Sequence, residues 1–153
     1  MHPLEHRIPP PVVAVLVLPA MWLLSNLLPR VEAAPGARVA LAIGIAAIGL
    51  AFSLAGALAF RRAKTTVNPL HPERATALVT HGVYRVTRNP MYVGLMLGLL
   101  AWAVFLASPL SLAGPVLFIV YINRFQIEPE ESALKAKFGA VYEQYKATAR
   151  RWL

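Results

Sequence analysis

Four long apolar stretches, residues 11–28, 37–60, 91–107 and 110–127, contain no acid, and their only cations are Arg38 and Arg124 near their ends. About 20 apolar residues cross the hydrocarbon core of a bilayer, with roughly 17–25 tolerated. The second stretch meets this comfortably and the others at the short end. Composition closes off the soluble alternative. Charged residues make up 14 % of the chain and hydrophobic ones 58 %, whereas a soluble domain carries about 25 % charged residues. The expected fold is therefore all-α: a polytopic membrane protein forming one domain over residues 1–153, with four transmembrane helices. Only Ser108-Pro109 separates the third stretch from the fourth, which allows nothing but a tight helical hairpin. Residues 61–90 are expected as a cytoplasmic loop and 128–153 as a cytoplasmic, amphipathic C-terminal helix.

Charge placement tests the count independently. There are 15 Lys plus Arg against 7 acids, all of them Glu, for a net charge of +8. Four crossings put the N-terminus, the second loop and the tail on one side. Arg7, then Arg61, Arg62, Lys64, Arg74, Arg85 and Arg88, and then Arg124, Lys135, Lys137, Lys146, Arg150 and Arg151 all fall there. Only Arg30 and Arg38 fall on the other side. Cytoplasmic loops of membrane proteins are enriched in Lys and Arg, so both termini are expected in the cytoplasm, most simply across a bacterial inner membrane. Segregation between apolar stretches also reads the basic excess as a membrane surface rather than a nucleic-acid partner. A cleaved signal ending near Val31-Glu32-Ala33 is the competing view of the first stretch, but that stretch is longer than a usual signal core and contains Pro19.

Several chemistries are ruled out by residue type. With no Cys, thiolate nucleophiles and disulfides are excluded. His2, His6, His71 and His81 show no ligand spacing, so no protein-held metal is expected. Prolines 115 and 129 each delete a helical donor and predict kinks. Gly49 with Ser53, and Gly94 with Gly98, are small-xxx-small pairs that let backbones approach closely. In the tail, Leu134, Phe138, Val141, Tyr142 and Tyr145 recur at offsets of three and four, one face of a helix over 130–150. Gly139 inside that helix predicts a close contact.

Polar residues beside membrane spans are functional candidates, and two clusters stand out. The first runs from His81 to Gly94 into the third helix and includes Tyr84, Arg85, Arg88, Asn89, Pro90 and Tyr92. Asn89 is pushed out of helical geometry by the proline that follows, and Pro90 suits the first helical position. The amides there, with Arg85 and Arg88, make a natural anion site. The second cluster leaves the fourth helix, with Asn123, Gln126 and Glu130 on one face and Glu131 beside them. Taken singly, these residues read as topology determinants and helix-dipole partners. Their convergence on one hairpin mouth argues for a site: acids and amides for ribose hydroxyls or an ammonium, arginines for a carboxylate.

Arg88-Asn89-Pro90-Met91-Tyr92-Val93-Gly94 resembles the R-(H/N)-P-x-Y-x-G motif of the isoprenylcysteine carboxyl methyltransferase and phospholipid methyltransferase superfamily. Glu130-Glu131-x-x-Leu134, Phe138-Gly139, Tyr142, Tyr145 and Arg151-Trp152 resemble its closing pattern. The resemblance covers residue 78 to the end and is closest to small bacterial members; Asn89 stands where eukaryotic members carry His. It implies an integral-membrane methyltransferase that uses S-adenosylmethionine, releases S-adenosylhomocysteine, and takes a lipophilic acceptor from the bilayer. By motif position Arg88, Asn89, Pro90, Tyr92, Gly94, Gln126, Glu130 and Glu131 line the cofactor site, and Arg88 and Arg151 lie nearest the acceptor. The residues themselves add Asn123 to the cofactor cluster. Tyr84, Tyr92 or Tyr142 would supply cation–π contact to a sulfonium, and Glu131 a general base for an amine or phenol. No glycine fingerprint following a strand is present, so a Rossmann cofactor fold is not expected. Two other readings stay open: a non-catalytic lipid-binding or assembly protein on the same scaffold, and a membrane reductase using a nicotinamide cofactor.

Overall fold

The computed structural model describes residues 8–63 and 76–153, so the expectations placed on His2, His6, Arg7, Lys64, His71 and Arg74 lie outside the described residues. Four apolar helical segments run up and down: α1 (Pro10–Ser25), α2 (Pro35–Arg62), α3 (Pro90–Leu106) and α4 (Ala113–Ile122). Prolines sit in the first turn of α1, α2 and α3, where a missing N–H costs nothing and the preset φ favours the helix. No strand forms among the described residues beyond one isolated parallel bridge between Thr87 and Arg150.

Among the described residues, two helical stretches are long and apolar enough to cross a bilayer, Pro35–Arg62 and the continuous Pro109–Phe138, while Pro10–Ser25 and Pro90–Leu106 are shorter apolar helices. Their outward faces stay apolar: Val15, Leu16, Ile43, Leu50, Leu117 and Val120 are all exposed. A soluble monomer rarely displays so continuous an apolar surface.

Glycines set how closely the helices approach. A Cβ on Gly94 would collide with Ser53 Oγ and the Gly49 carbonyl oxygen, and one on Gly49 would lie 2.8 Å from the Gly94 carbonyl oxygen. A Cβ on Gly98 would meet nothing within 4 Å, so although the Gly98 nitrogen lies 3.5 Å from a Cβ built on Gly49, the crossing does not require Gly98 to be a glycine as it does Gly49 and Gly94. Gly56 makes a second small site beneath Pro90. On the other side of α3, fully buried Met21 of α1 fills the space left by Gly114 of α4 and joins Leu99, Phe118 and Ile122 in the core. The Trp102 indole N–H donates to the Leu18 carbonyl oxygen at 3.2 Å.

The hairpin forms as the sequence predicts. Ala107 ends α3 in the left-handed region at φ 52°, and a 3-10 turn, Pro109–Leu112, leads into α4. Ser111, fully buried, anchors the turn by donating to the Ser108 carbonyl oxygen at 2.5 Å.

Beyond α4 the structure departs from expectation. Pro115 lies in the first turn of α4, where no helical bond is lost. Ahead of Pro129 the helix widens into a π turn, Asn123–Ile127, which accommodates a residue that cannot donate and whose ring crowds the carbonyl four residues back. The tail is two helices rather than one: α5 (Glu128–Phe138) and α6 (Ala140–Thr148), parted at Gly139 with φ 52° and ψ −126°. A Cβ there would meet nothing within 4 Å. Gly139 therefore serves backbone conformation, and the expected close contact is absent. The chain leaves helix at Ala149.

Candidate functional site

The break at Gly139 turns α6 back over the end of the bundle where α3 begins. Tyr142 and Tyr145 pack there with Tyr84, Val79 and Ala59 in a second buried cluster, and the Tyr145 hydroxyl donates to the Tyr84 carbonyl oxygen at 2.8 Å. The tail then runs alongside the segment entering α3. The Arg88 N–H donates to the Arg150 carbonyl oxygen at 2.8 Å. Asn89 Nδ2 and Thr87 Oγ1 both donate to the Arg151 carbonyl oxygen, at 2.9 and 3.2 Å. Trp152 closes the strap through its indole N–H, 3.0 Å from Asn123 Oδ1.

Two carboxylates adjacent in sequence have opposite surroundings. Glu131 is clamped by two guanidinium groups: Arg88 Nη2 lies 2.8 Å from Oε1, Arg151 Nη2 lies 2.7 Å from Oε2, and Arg151 Nε adds a bond of 3.2 Å to Oε1. Burial raises its pKa, but the hydrogen bonds and charge of Arg151 and Arg88 prevail and hold it below the ordinary value. Glu130 has no cation beside it among the described residues. The Tyr92 hydroxyl donates to its Oε1 at 2.5 Å and the Gln126 amide donates to the same oxygen at 2.7 Å. Here burial dominates and pushes the acid up to about 7 against the pull of those two donors. Arg88 spends Nη1 on the carbonyl oxygens of Ala149 and Lys146 and Nη2 on Glu131, while its buried Nε has no partner among the described residues. The buried Tyr84 hydroxyl also has none.

A cleft of about 60 Å³ lies among these groups, lined by Tyr84, Arg88, Asn89, Glu130 and Glu131 with apolar and aromatic neighbours. At ~10–15 Å³ per water position it has room for several waters. It is much smaller than the ~300–1,000 Å³ pockets that enclose a whole drug-sized ligand. Among the described residues no three His, Asp or Glu side chains gather as metal ligands.

Against this geometry, the sequence profile of the phospholipid methyltransferase family matches residues 37–141. The chain belongs to that family. Related proteins include an uncharacterized protein of Haemophilus influenzae, 49 % identical over 63 residues that make up 41 % of this chain and all of that protein. A rice protein named a probable protein-S-isoprenylcysteine O-methyltransferase is 39 % identical over 87 residues, 55 % of this chain and 44 % of the rice one. Protein-S-isoprenylcysteine O-methyltransferase A of Arabidopsis thaliana is 37 % identical over 87 residues, 55 % of this chain and 43 % of its own length. The match thus spans less than half of the plant proteins. No solved structure matches the chain significantly.

The sequence-selected residues of this family member divide in three. Tyr84, Arg88, Asn89, Glu130 and Glu131 line the cleft. Tyr92, Gln126 and Arg151 stand behind it and hold the two acids. Pro90 and Gly94 pack against α2, and Asn123 receives Trp152. Sequence reasoning missed Phe60, Leu78 and Val79, which give the cleft its apolar wall; as ordinary apolar residues next to a span they carry no signal of their own. Spacing and motif place Tyr145 on the apolar face of the tail and in the closing pattern, but neither signals its bond to the Tyr84 carbonyl oxygen.

Proposed function

We propose that this protein is an integral-membrane methyltransferase that takes its methyl group from S-adenosylmethionine and passes it to a lipophilic acceptor reached through the bilayer. Membership of the methyltransferase family supports the reaction class. The observation that carries the site assignment is the meeting of the two motifs: Arg88, entering α3, and Arg151, from the tail, close on Glu131 of α5 from opposite sides. Residues separated by 43 and 20 positions are thereby fixed around one cleft.

The donor set fits such a cofactor. A carboxylic acid without a counter-cation, two buried polar atoms without partners and several tyrosine rings line one cleft, and a cationic ligand carrying an oxyanion satisfies all of them. When bound, S-adenosylmethionine supplies an electrophilic methyl group on a sulfonium. The chain's part is to align, to exclude water and to place charge. Tyr84 and Tyr142 offer ring faces to positive charge. The Arg88–Glu131–Arg151 clamp fixes the tail over the cleft, and the apolar wall at Phe60, Leu78 and Leu134 is where an acyl or prenyl chain would approach. Glu131, held by two arginines, is a weak proton acceptor; Glu130 is the better one when the acceptor atom carries a proton.

In this reading all four apolar helices cross the bilayer, with the cleft and both termini on the cytoplasmic side. The last turns of the Pro109–Phe138 helix project into water, because 30 residues at ~1.5 Å rise exceed a ~30 Å core. Purified protein in detergent is expected to bind S-adenosylhomocysteine in a calorimetric titration, and membranes containing it to label a lipid-soluble product from methyl-labelled cofactor. Absence of both would remove the reading.

A further inference from the structure

The buried cluster of Ala59, Tyr84, Tyr142, Tyr145 and Ala149, with Phe60 and Ala63 against it, draws the end of α2, the turn before α3 and α6 together. Each of these segments turns an apolar residue inward and carries an exposed cation beside it. Arg61 and Arg62 follow Phe60, Arg85 follows Tyr84, Lys146 follows Tyr145, and Arg150 follows Ala149. Among the described residues none of these five side chains makes an ion pair. The exposed acids of this end are already taken, Glu143 by Lys135 at 3.0 Å and Glu128 by Arg124 at 3.5 Å. Glu131 is closed between Arg88 and Arg151. Like charges gathered around one compact cluster repel one another, and an anion from outside the chain relieves them.

The neighbours of these cations decide the kind of anion. Leu58, one turn before Arg61 and Arg62, is 47 % exposed; Val86, next to Arg85, is 54 % exposed; and Leu153, shortly after Arg150, is 53 % exposed. Exposed apolar groups interleaved with cations suit the boundary between lipid headgroups and acyl chains. They gain nothing from a nucleic-acid backbone or an acidic protein in water. Four of the five cations are arginines, whose planar fork matches a pair of phosphate oxygens.

We infer that this basic face, formed by Arg61, Arg62, Arg85, Lys146 and Arg150, docks on the phosphates of anionic phospholipids in the cytoplasmic leaflet. The face needs the bilayer placement proposed above and is independent of methyl transfer. Cations that only direct topology act while the chain inserts, whereas this docking belongs to the folded protein, whose packing joins the end of α2 to the tail. Phe60, Tyr84, Tyr142 and Tyr145 also line the cleft, so headgroups seated on this face lie against the outside of the cleft wall.

The full chain in neutral detergent micelles is titrated with dioleoylphosphatidylglycerol or dioleoylphosphatidylcholine, and bound lipid is counted by native mass spectrometry. A cation near a membrane surface adds about fivefold to anionic-lipid binding. Phosphatidylglycerol should therefore bind about tenfold or more tightly than phosphatidylcholine at about 0.1 M salt. That preference should vanish near 1 M, where the Debye length is about 3 Å. Arg61→Gln with Arg62→Gln, or Arg150→Gln alone, breaks no side-chain bond of the fold. Each should lower phosphatidylglycerol affinity by about fivefold per arginine removed and leave phosphatidylcholine unchanged. Arg30→Gln with Arg38→Gln removes the same charge from the opposite end and should keep the preference intact. Equal binding of the two lipids by the parent, or equal losses in the two double variants, would overturn the inference and leave the methyltransferase reading standing. That reading falls only by the calorimetric and labelling tests given above. Tighter binding of a single-stranded oligonucleotide than of phosphatidylglycerol would overturn the inference in favour of a nucleic-acid partner.

Discussion

At the scale of single residues, the adjacent acids show how surroundings separate two identical side chains. Glu130 is held up near 7, above the ordinary 4.5, chiefly by burial. An acid whose folded pKa is raised binds more protons in the folded state than in the unfolded one, so stability falls as pH rises from about 4.5 to about 7. Glu130→Gln removes that penalty. Its midpoint of thermal unfolding should match the parent's near pH 5 and exceed it at pH 8. Glu131 has the opposite sign: its folded pKa is depressed, so its contribution is present above the unfolded value and lost as pH falls through the folded one. Replacing it with Ala strands two guanidinium groups, one of them on a side chain only 10 % exposed. Removing one partner of a buried pair costs about 3–5 kcal/mol. Because Arg151 is 35 % exposed, a loss near the lower figure is expected, read as a lower denaturant midpoint for Glu131→Ala than for Glu131→Gln.

At the scale of elements, glycines distinguish packing from conformation. Gly94→Ala should disrupt the α2–α3 crossing, because the added methyl meets backbone as well as Ser53, and Gly98→Ala on the same helix should be tolerated. Gly139→Ala meets no atom, yet it forces an L residue into a conformation such residues rarely adopt, a strain of about 1–3 kcal/mol. Thermal unfolding of the three variants should rank Gly98→Ala highest. These contrasts also mark what the sequence made legible. The hairpin at Ser108-Pro109, the start of α3 at Pro90, and the pairing of Arg88 with the Glu130-Glu131 segment follow from proline geometry, apolar length and motif order, all of which are local. The break at Gly139 was not legible, since a glycine in an amphipathic repeat reads equally as a packing contact or as a left-handed joint. The π turn before Pro129 was hidden for a similar reason. Proline announces a missing donor without saying whether the helix bends, stops or widens. Nor does spacing separate Tyr92 and Gln126, which hold Glu130, from Tyr84, which lines the cleft itself; that distinction depends on where α6 folds back.

For the molecule as a whole, helix order and charge separate two ends. The end of α1 and the start of α4 meet where Met21 fills the space at Gly114. The Val31 N–H, before α2, donates to the Ala107 carbonyl oxygen at 2.7 Å, after α3. These contacts define one end of the bundle. The opposite end holds the close of α2 at Arg61 and Arg62, the entry to α3 at Arg85 and Arg88, and the whole tail. Among the described residues, nearly all the cations thus gather at the end that carries the cleft, while the other end has Arg30 and Arg38. Cation bias of this size sets insertion through the cytoplasmic retention of positive loops, so a fluorescent protein fused after Leu153 should fold and fluoresce, and alkaline phosphatase fused there should be inactive. The same fusions placed between Pro29 and Ala33 should behave oppositely. The two sites test different things: the tail fusion tests orientation, and the pair together tests the number of crossings between them. An even number would place both reporters on one side and put the cation-rich end that carries the cleft on the same face as the cation-poor loop. That outcome cannot arise from a four-helix up-and-down bundle, which puts three crossings between the loop and the tail, so this pair of fusions tests the packing as much as the topology.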